Sequence, residues 1–194
     1  MFKSLLCAAA AFFGCANAAT LVTVDDASSQ SGKRLVRIEG LNVNGELFDA
    51  TFFGAVSCLV AYDQCDELSD LPFDNEADAR AAAAAIGAAL VGTPFDRFPA
   101  DVDNCFGTIN CGLQIPFALP TPTFTVEFVA FGNSVNEGTD SVYGPLVFSV
   151  IQANSILTWV QFAPSSSVSD GTTVPIPAAA LLFAPALLAL RRRG

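Results

Sequence analysis

Histidine is absent from the 194 residues. Its absence removes Ser-His and Cys-His dyads and every His-ligated metal site. Base is scarce too: nine Lys and Arg stand against nineteen Asp and Glu, for a net charge of −10. Such a surface repels nucleic acid and anionic lipid. Only one Trp and two Tyr occur, the residues whose flat rings and polar tips build sugar-binding platforms. No glycine-rich phosphate loop is present, and Lys33 is the only lysine beyond the N-terminal segment. A Ser-Lys dyad would have to use it. With so few catalytic parts, the chain is expected to be no enzyme and to carry no cofactor.

What is there is concentrated at the two ends. Lys3 precedes an apolar stretch from Leu5 to Ala16, and Ala16 and Ala18 flank Asn17. This order is that of a secretory signal peptide spanning residues 1–18, read by the Sec translocon, with cleavage between Ala18 and Ala19. Phe12-Phe13-Gly14-Cys15 offers a poorer lipoprotein box that competes with it. At the other end, Val174-Pro175-Ile176-Pro177 leads into an apolar run, followed by Arg191, Arg192 and Arg193. The arginines resist crossing a bilayer and stay cytoplasmic. The 17 residues from Val174 to Leu190 would span about 26 Å as a helix. A hydrocarbon core is about 30 Å thick. Pro185 would also forfeit a backbone hydrogen bond in lipid. A permanent anchor is the competing reading, and its span is marginal.

This tail resembles the sorting tails of PEP-CTERM proteins, above all the VPLPA-type variant, with Ile176 where that variant has Leu and Pro185 inside the apolar run. The resemblance covers residues 174–194 and implies an exosortase-type membrane enzyme as partner. It also implies cutting near Val174–Pro177, transient membrane anchorage through the tail, and extracellular polysaccharide in the surroundings.

The targeting ends supply much of the mean hydropathy of +0.49 and say nothing of the fold. Residues 19–163 form one globular domain, and PSSSVSDGTT (164–173) is a flexible linker. Over residues 19–173, nineteen acids face five bases, a net charge of −14. Four cysteines remain once the signal is removed, and an even count in an exported chain reads as two disulfides. Three pairings exist. Cys58–Cys65 with Cys105–Cys111 is expected, because each pair brackets a short polar loop.

KRLVRIEGLNV and ELFDATFF alternate apolar and polar side chains around Asn44-Gly45, which predicts a hairpin with a bulge at Gly40. Phe48, Ala50 and Phe52 then share a face. A helix is predicted over about 75–91, capped by Asp74 or Asn75 and stopped by Gly92, with a Glu76–Arg80 pair. Its inner face is Ala79, Ala82, Ala83, Ile86 and Leu90. Gly54–Phe73 and the proline-rich 93–122 read as loops. Strands are predicted at 123–131, 142–151 and 156–163, the last two joined by a tight turn at Asn154-Ser155. The expected fold is α+β and mainly antiparallel, about five strands with one helix across a face. The hairpin and the acidic, alanine-rich helix also resemble a body type recurring among PEP-CTERM proteins, which implies no activity.

Two acidic clusters suggest cation binding: Asp63, Asp66, Glu67 and Asp70, and Asp101, Asp103 and Asn104. Neither follows an EF-hand register, and solvated acidic loops are the plainer reading. Trp159 and Tyr143 are the candidates for a glycan-binding face, although a core position suits Trp159 better. The reading that results is a non-enzymatic exported protein of the cell envelope, cell surface or extracellular matrix. A surface module that binds glycan or calcium is the alternative.

The mature chain is expected to begin at Ala19. N-terminal sequencing of protein from the native host checks this, and a lipid-modified Cys15 at the start would contradict it.

Overall fold

Three strands open the fold: β1 (Thr20–Asp25), β2 (Lys33–Val43) and β3 (Glu46–Gly54). Asn44 and Gly45 between β2 and β3 take φ of 53° and 97°. Two positive φ angles in succession match the right-handed twist of the flanking strands. Gly40, at φ 69°, lies in the register shift between Ile38 and Leu41. It is the expected bulge, and Asp49 Oδ1 accepts its N–H at 3.0 Å. The fold continues with α1 (Cys58–Ala61), α2 (Glu76–Leu90), α3 (Pro94–Arg97), β4 (Asn110–Ala118), β5 (Thr125–Ser134), β6 (Ser141–Ser149) and β7 (Leu157–Pro164). This computed structural model describes residues 18–105, 109–120, 124–135, 140–150 and 157–165. The signal segment through residue 17 and the chain from 166 onward, with most of the linker and the sorting tail, lie outside them.

The seven strands form one sheet in the order β1-β2-β3-β7-β4-β5-β6. Every neighbouring pair is antiparallel except β4 with β7. The expectation of about five strands is therefore corrected to seven. β1 arises from the short apolar run after Ala19, whose length and exposure gave no strong alternation. β4 lies inside the stretch that its prolines and cysteine pair made look irregular. Pro116 is tolerated there because β7 pairs only with Gly112 to Gln114, and the β4–β5 register shifts just beyond Pro116. The expected turn at Asn154-Ser155 lies outside the described residues. The strands on either side of it are not neighbours: β6 is an edge strand, whereas β7 sits in the centre. Burial explains the placement. Trp159, Val160 and Phe162 are buried with side chains on alternating faces, while Leu146 and Val147 of β6 are exposed.

α2 follows its sequence signals closely. Asn75 is the cap and accepts from the Asp78 N–H at 2.9 Å, and Arg80 pairs with Glu76 at 2.6 Å. Ala79, Ala82, Ala83, Ile86, Gly87 and Leu90 are buried. All but Gly87 join Leu35, Ile38, Ala50, Phe52, Leu113, Ile115, Val129, Phe131 and Val160 in the larger core cluster. Small residues let the helix axis approach the sheet. A Cβ on Gly87 would fall 2.7 Å from Phe131.

The opposite face is covered by the segment that reads as a loop. It contains α1 and 3-10 turns at Asp63–Cys65 and Leu68–Asp70. Cys58, Ala61, Tyr62, Cys65 and Leu71 pack with Val126, Phe128, Ala130 and Trp159 in a second cluster. The Tyr62 hydroxyl donates to Val160 O at 2.6 Å, which gives the buried phenol its partner. Both expected disulfides are present, Cys58–Cys65 and Cys105–Cys111, with Cα atoms 5.7 and 5.6 Å apart. The first fastens this covering segment onto itself.

Gly54 ends β3 against the Asn104 backbone. A Cβ added there would lie 2.1 Å from the Asn104 carbonyl oxygen, so Gly54→Ala is expected to destabilise the fold by about 1–3 kcal/mol. Urea unfolding measures the loss, and an unchanged midpoint would contradict this close approach.

Candidate functional site

The two acidic clusters serve the fold. In the first, the Asp70 carboxylate accepts from the N–H groups of Asp66 and Glu67 at 3.1 and 3.0 Å, closing a capping box over its own turn. Asp63 is exposed. In the second, Asp101 is buried and accepts from the N–H groups of Gln30 and Ser31 at 2.9 and 2.7 Å. Asp103 faces Arg34 at 3.9 Å. Asn104 sits at φ 59°. Its Nδ2 donates to Phe52 O at 2.9 Å, and its carbonyl accepts from the Thr158 hydroxyl at 2.8 Å. Asp70 and Asp101 thus orient turns, and Asn104 joins two strands. Among the described residues, no group of three or more Cys, Asp or Glu side chains gathers as a metal site.

Trp159 is buried, with its Nε1–H donating to Val56 O at 3.1 Å and its ring edge-on to Tyr62 and Phe128. It belongs to the core and offers no platform. Tyr143 lies on the edge strand β6 and is 38% exposed.

The hairpin turn and the entrance to α2 enclose a cleft of about 370 Å³. Asn44 Nδ2 donates to Asp78 Oδ1 at 2.6 Å and ties the turn to the first helical turn. Phe48 and Phe73 line the cleft, with ring centroids 5.6 Å apart, and both meet Phe162 behind. Glu46, Asp74 and Asp78 stand around it, and among the described residues no Lys or Arg lines it.

Among the described residues, two carboxylates have shifted titrations. Asp26 is held down at about 2, chiefly by the Ser28 hydroxyl, then by the Ser28 N–H and by Arg34. Its folded value is depressed, so its stabilising effect is complete above the ordinary 3.8 and is lost as pH falls through about 2. Asp140 moves the other way. Burial raises it, the Ser134 N–H opposes this, and the Asp96 carboxylate beside it raises it further. Sequence spacing did not single out Asp96 and Asp140, which lie on different elements. The proline after Thr93 marks a helix start, but nothing in the sequence shows which strand end that helix meets.

Of the targeting residues, Ala18 and Ala19 precede β1, exposed and half-buried respectively. Ala16, Val174, Pro175, Ile176, Pro177, Arg191, Arg192 and Arg193 lie outside the described residues. Among the described residues no helix is long and apolar enough to cross a membrane. Compared with known protein families, curated proteins and solved structures, the chain matches none of them.

Asp101→Ala leaves the N–H groups of Gln30 and Ser31 without their acceptor. It is expected to cost about 2 kcal/mol and to speed amide exchange at residues 30 and 31 above the rest of the sheet. Hydrogen exchange followed by residue checks it, and unchanged protection at both amides would contradict the structural role.

Proposed function

We propose that this is a non-enzymatic, exported protein of the cell envelope or extracellular matrix, delivered by its C-terminal tail. The carrying observation is the order Val174-Pro175-Ile176-Pro177, apolar run, Arg191-Arg192-Arg193. The N-terminal signal places the domain outside, and the arginines keep the tail's end inside. A Pro-x-Pro sequence disfavours helix, which suits a junction that an exosortase-type enzyme would cut at the membrane face. The two disulfides support this reading, since such bonds form and persist in oxidising compartments. The acidic, lysine-poor domain suits a protein that remains soluble beside polysaccharide and stays clear of nucleic acid.

A surface binding module is the second reading. The cleft between hairpin and helix favours it, because an aromatic wall and a carboxylate rim without a counter-charge suit a ligand with positive and apolar parts.

Mass spectrometry of mature protein from the native host tests delivery. Cleavage near Val174–Pro177 is expected. Pro175→Ala with Pro177→Ala should block the cut, and deletion of Arg191 to Arg193 should impair membrane retention and correct processing. Mature protein that still carries the peptide ending in Arg191-Arg192-Arg193-Gly194 would reduce the tail to a plain anchor.

A further inference from the structure

The corner where α3 meets the end of β5 holds two carboxylates and two buried oxygens without partners. Asp96 is 7% exposed, and its Oδ2 accepts from the Gly92 N–H at 3.0 Å. Asp140 Oδ1 accepts from the Ser134 N–H at 2.7 Å. Each carboxylate is thereby oriented by one backbone N–H. The two carboxyl groups are in hydrogen-bond contact, Asp140 donating to Asp96 when it carries a proton.

Two further buried oxygens belong to residues that touch the turn carrying Asp96. Asn133 is fully buried, and its Nδ2 donates to Phe95 O at 2.8 Å, which lays the carboxamide against the turn that carries Asp96. Its Oδ1 has no partner. Thr93, whose carbonyl accepts the Asp96 N–H at 3.3 Å, has a buried hydroxyl oxygen that is also without a partner. A buried amide oxygen left unpaired costs about 1–3 kcal/mol, and two adjoining carboxylates repel when both are ionised.

One ligand class answers both problems. We propose that Asp96, Asp140, Asn133 Oδ1 and Thr93 Oγ1 form a binding site for a divalent cation, with calcium preferred. Calcium takes oxygen ligands at about 2.3–2.6 Å. Two ligand oxygens at that distance from one ion can lie as close together as a hydrogen-bonded pair, so the corner need open little. The cation replaces any proton shared between the carboxyls, which is released to solvent. Side-chain carboxylate, amide and hydroxyl donors are oxygen ligands that suit calcium. Magnesium holds its water more tightly and demands a regular octahedron. Water completes the coordination. Only two carboxylates contribute, so affinity is expected in the range of extracellular modules, on the order of 10⁻⁴ to 10⁻³ M. The proposal is independent of how the tail is processed.

The test uses the full chain in detergent, freed of metal with EDTA and titrated with calcium chloride and, separately, magnesium chloride. Calorimetry reads binding and thermal unfolding reads stabilisation. One calcium per chain with a raised Tm is expected, and a smaller response to magnesium. Asp140→Asn, half-buried at a hairpin end, should fold and bind calcium at least about tenfold more weakly, and Asp96→Asn should behave alike where it folds. Asp63→Asn, in the exposed acidic turn, should bind as the parent does. No calcium heat, unchanged binding in Asp140→Asn, or an equal loss in Asp63→Asn would overturn the site. The last outcome would show diffuse attraction to an acidic surface.

Discussion

Strand β7 is held along both edges and on both faces, and the sheet depends on it. It pairs with β3 from Phe48 to Gly54 and with β4 from Gly112 to Gln114. Without it β1-β2-β3 and β4-β5-β6 would be separate sheets, each with an open inner edge. Trp159 enters one core cluster, while Val160 and Phe162 enter the other. Asn104 anchors this seam by bonding Phe52 O with its side chain and the Thr158 hydroxyl with its carbonyl. Because β7 is the last of the described strands in chain order, the two halves of the sheet cannot be joined until that strand is available. Such long-range pairing is slow in folding, since loop closure precedes the contacts that reward it.

Acidic composition takes on a specific meaning in this frame. Asp49 holds the Gly40 bulge, Asp70 closes a capping box, Asp78 joins hairpin turn to helix, and Asp101 fastens the loop before β2. A carboxylate accepts from backbone N–H groups more strongly than a neutral oxygen does, so short turns with few apolar contacts gain order from it. Charge that reads at the level of composition as solubility is, at these positions, turn architecture. Asp96 and Asp140 also accept backbone N–H groups, and in addition they meet each other.

The disulfides belong to the same economy of short-range fastening. Cys58–Cys65 closes α1 and the following turn over the sheet face that α2 leaves open, where Tyr62 and Trp159 find their backbone partners. Cross-links of this kind limit the unfolded chain and suit a domain outside the reducing cytosol.

Features that the sequence determined by itself are those settled within a few residues. Asn44 and Gly45 both tolerate positive φ, so the hairpin and its register were legible. Asn75, Glu76, Asp78 and the alanine run place a helix start and a buried stripe through cap preference and a period of 3.6. The cysteine pairs are local, and the targeting ends are runs of composition. Tertiary structure alone decided that β7 lies in the centre and β6 at the edge, that Pro116 sits in a strand, and that Asn104 serves the seam instead of an acidic loop. It also decided that Thr93, Asp96, Asn133 and Asp140 share a corner. The reason is physical: local dihedral preference and periodicity act over a turn or two of chain. Strand order and the meeting of side chains from different elements depend on which apolar faces are buried together, and that is a property of the whole packed sheet.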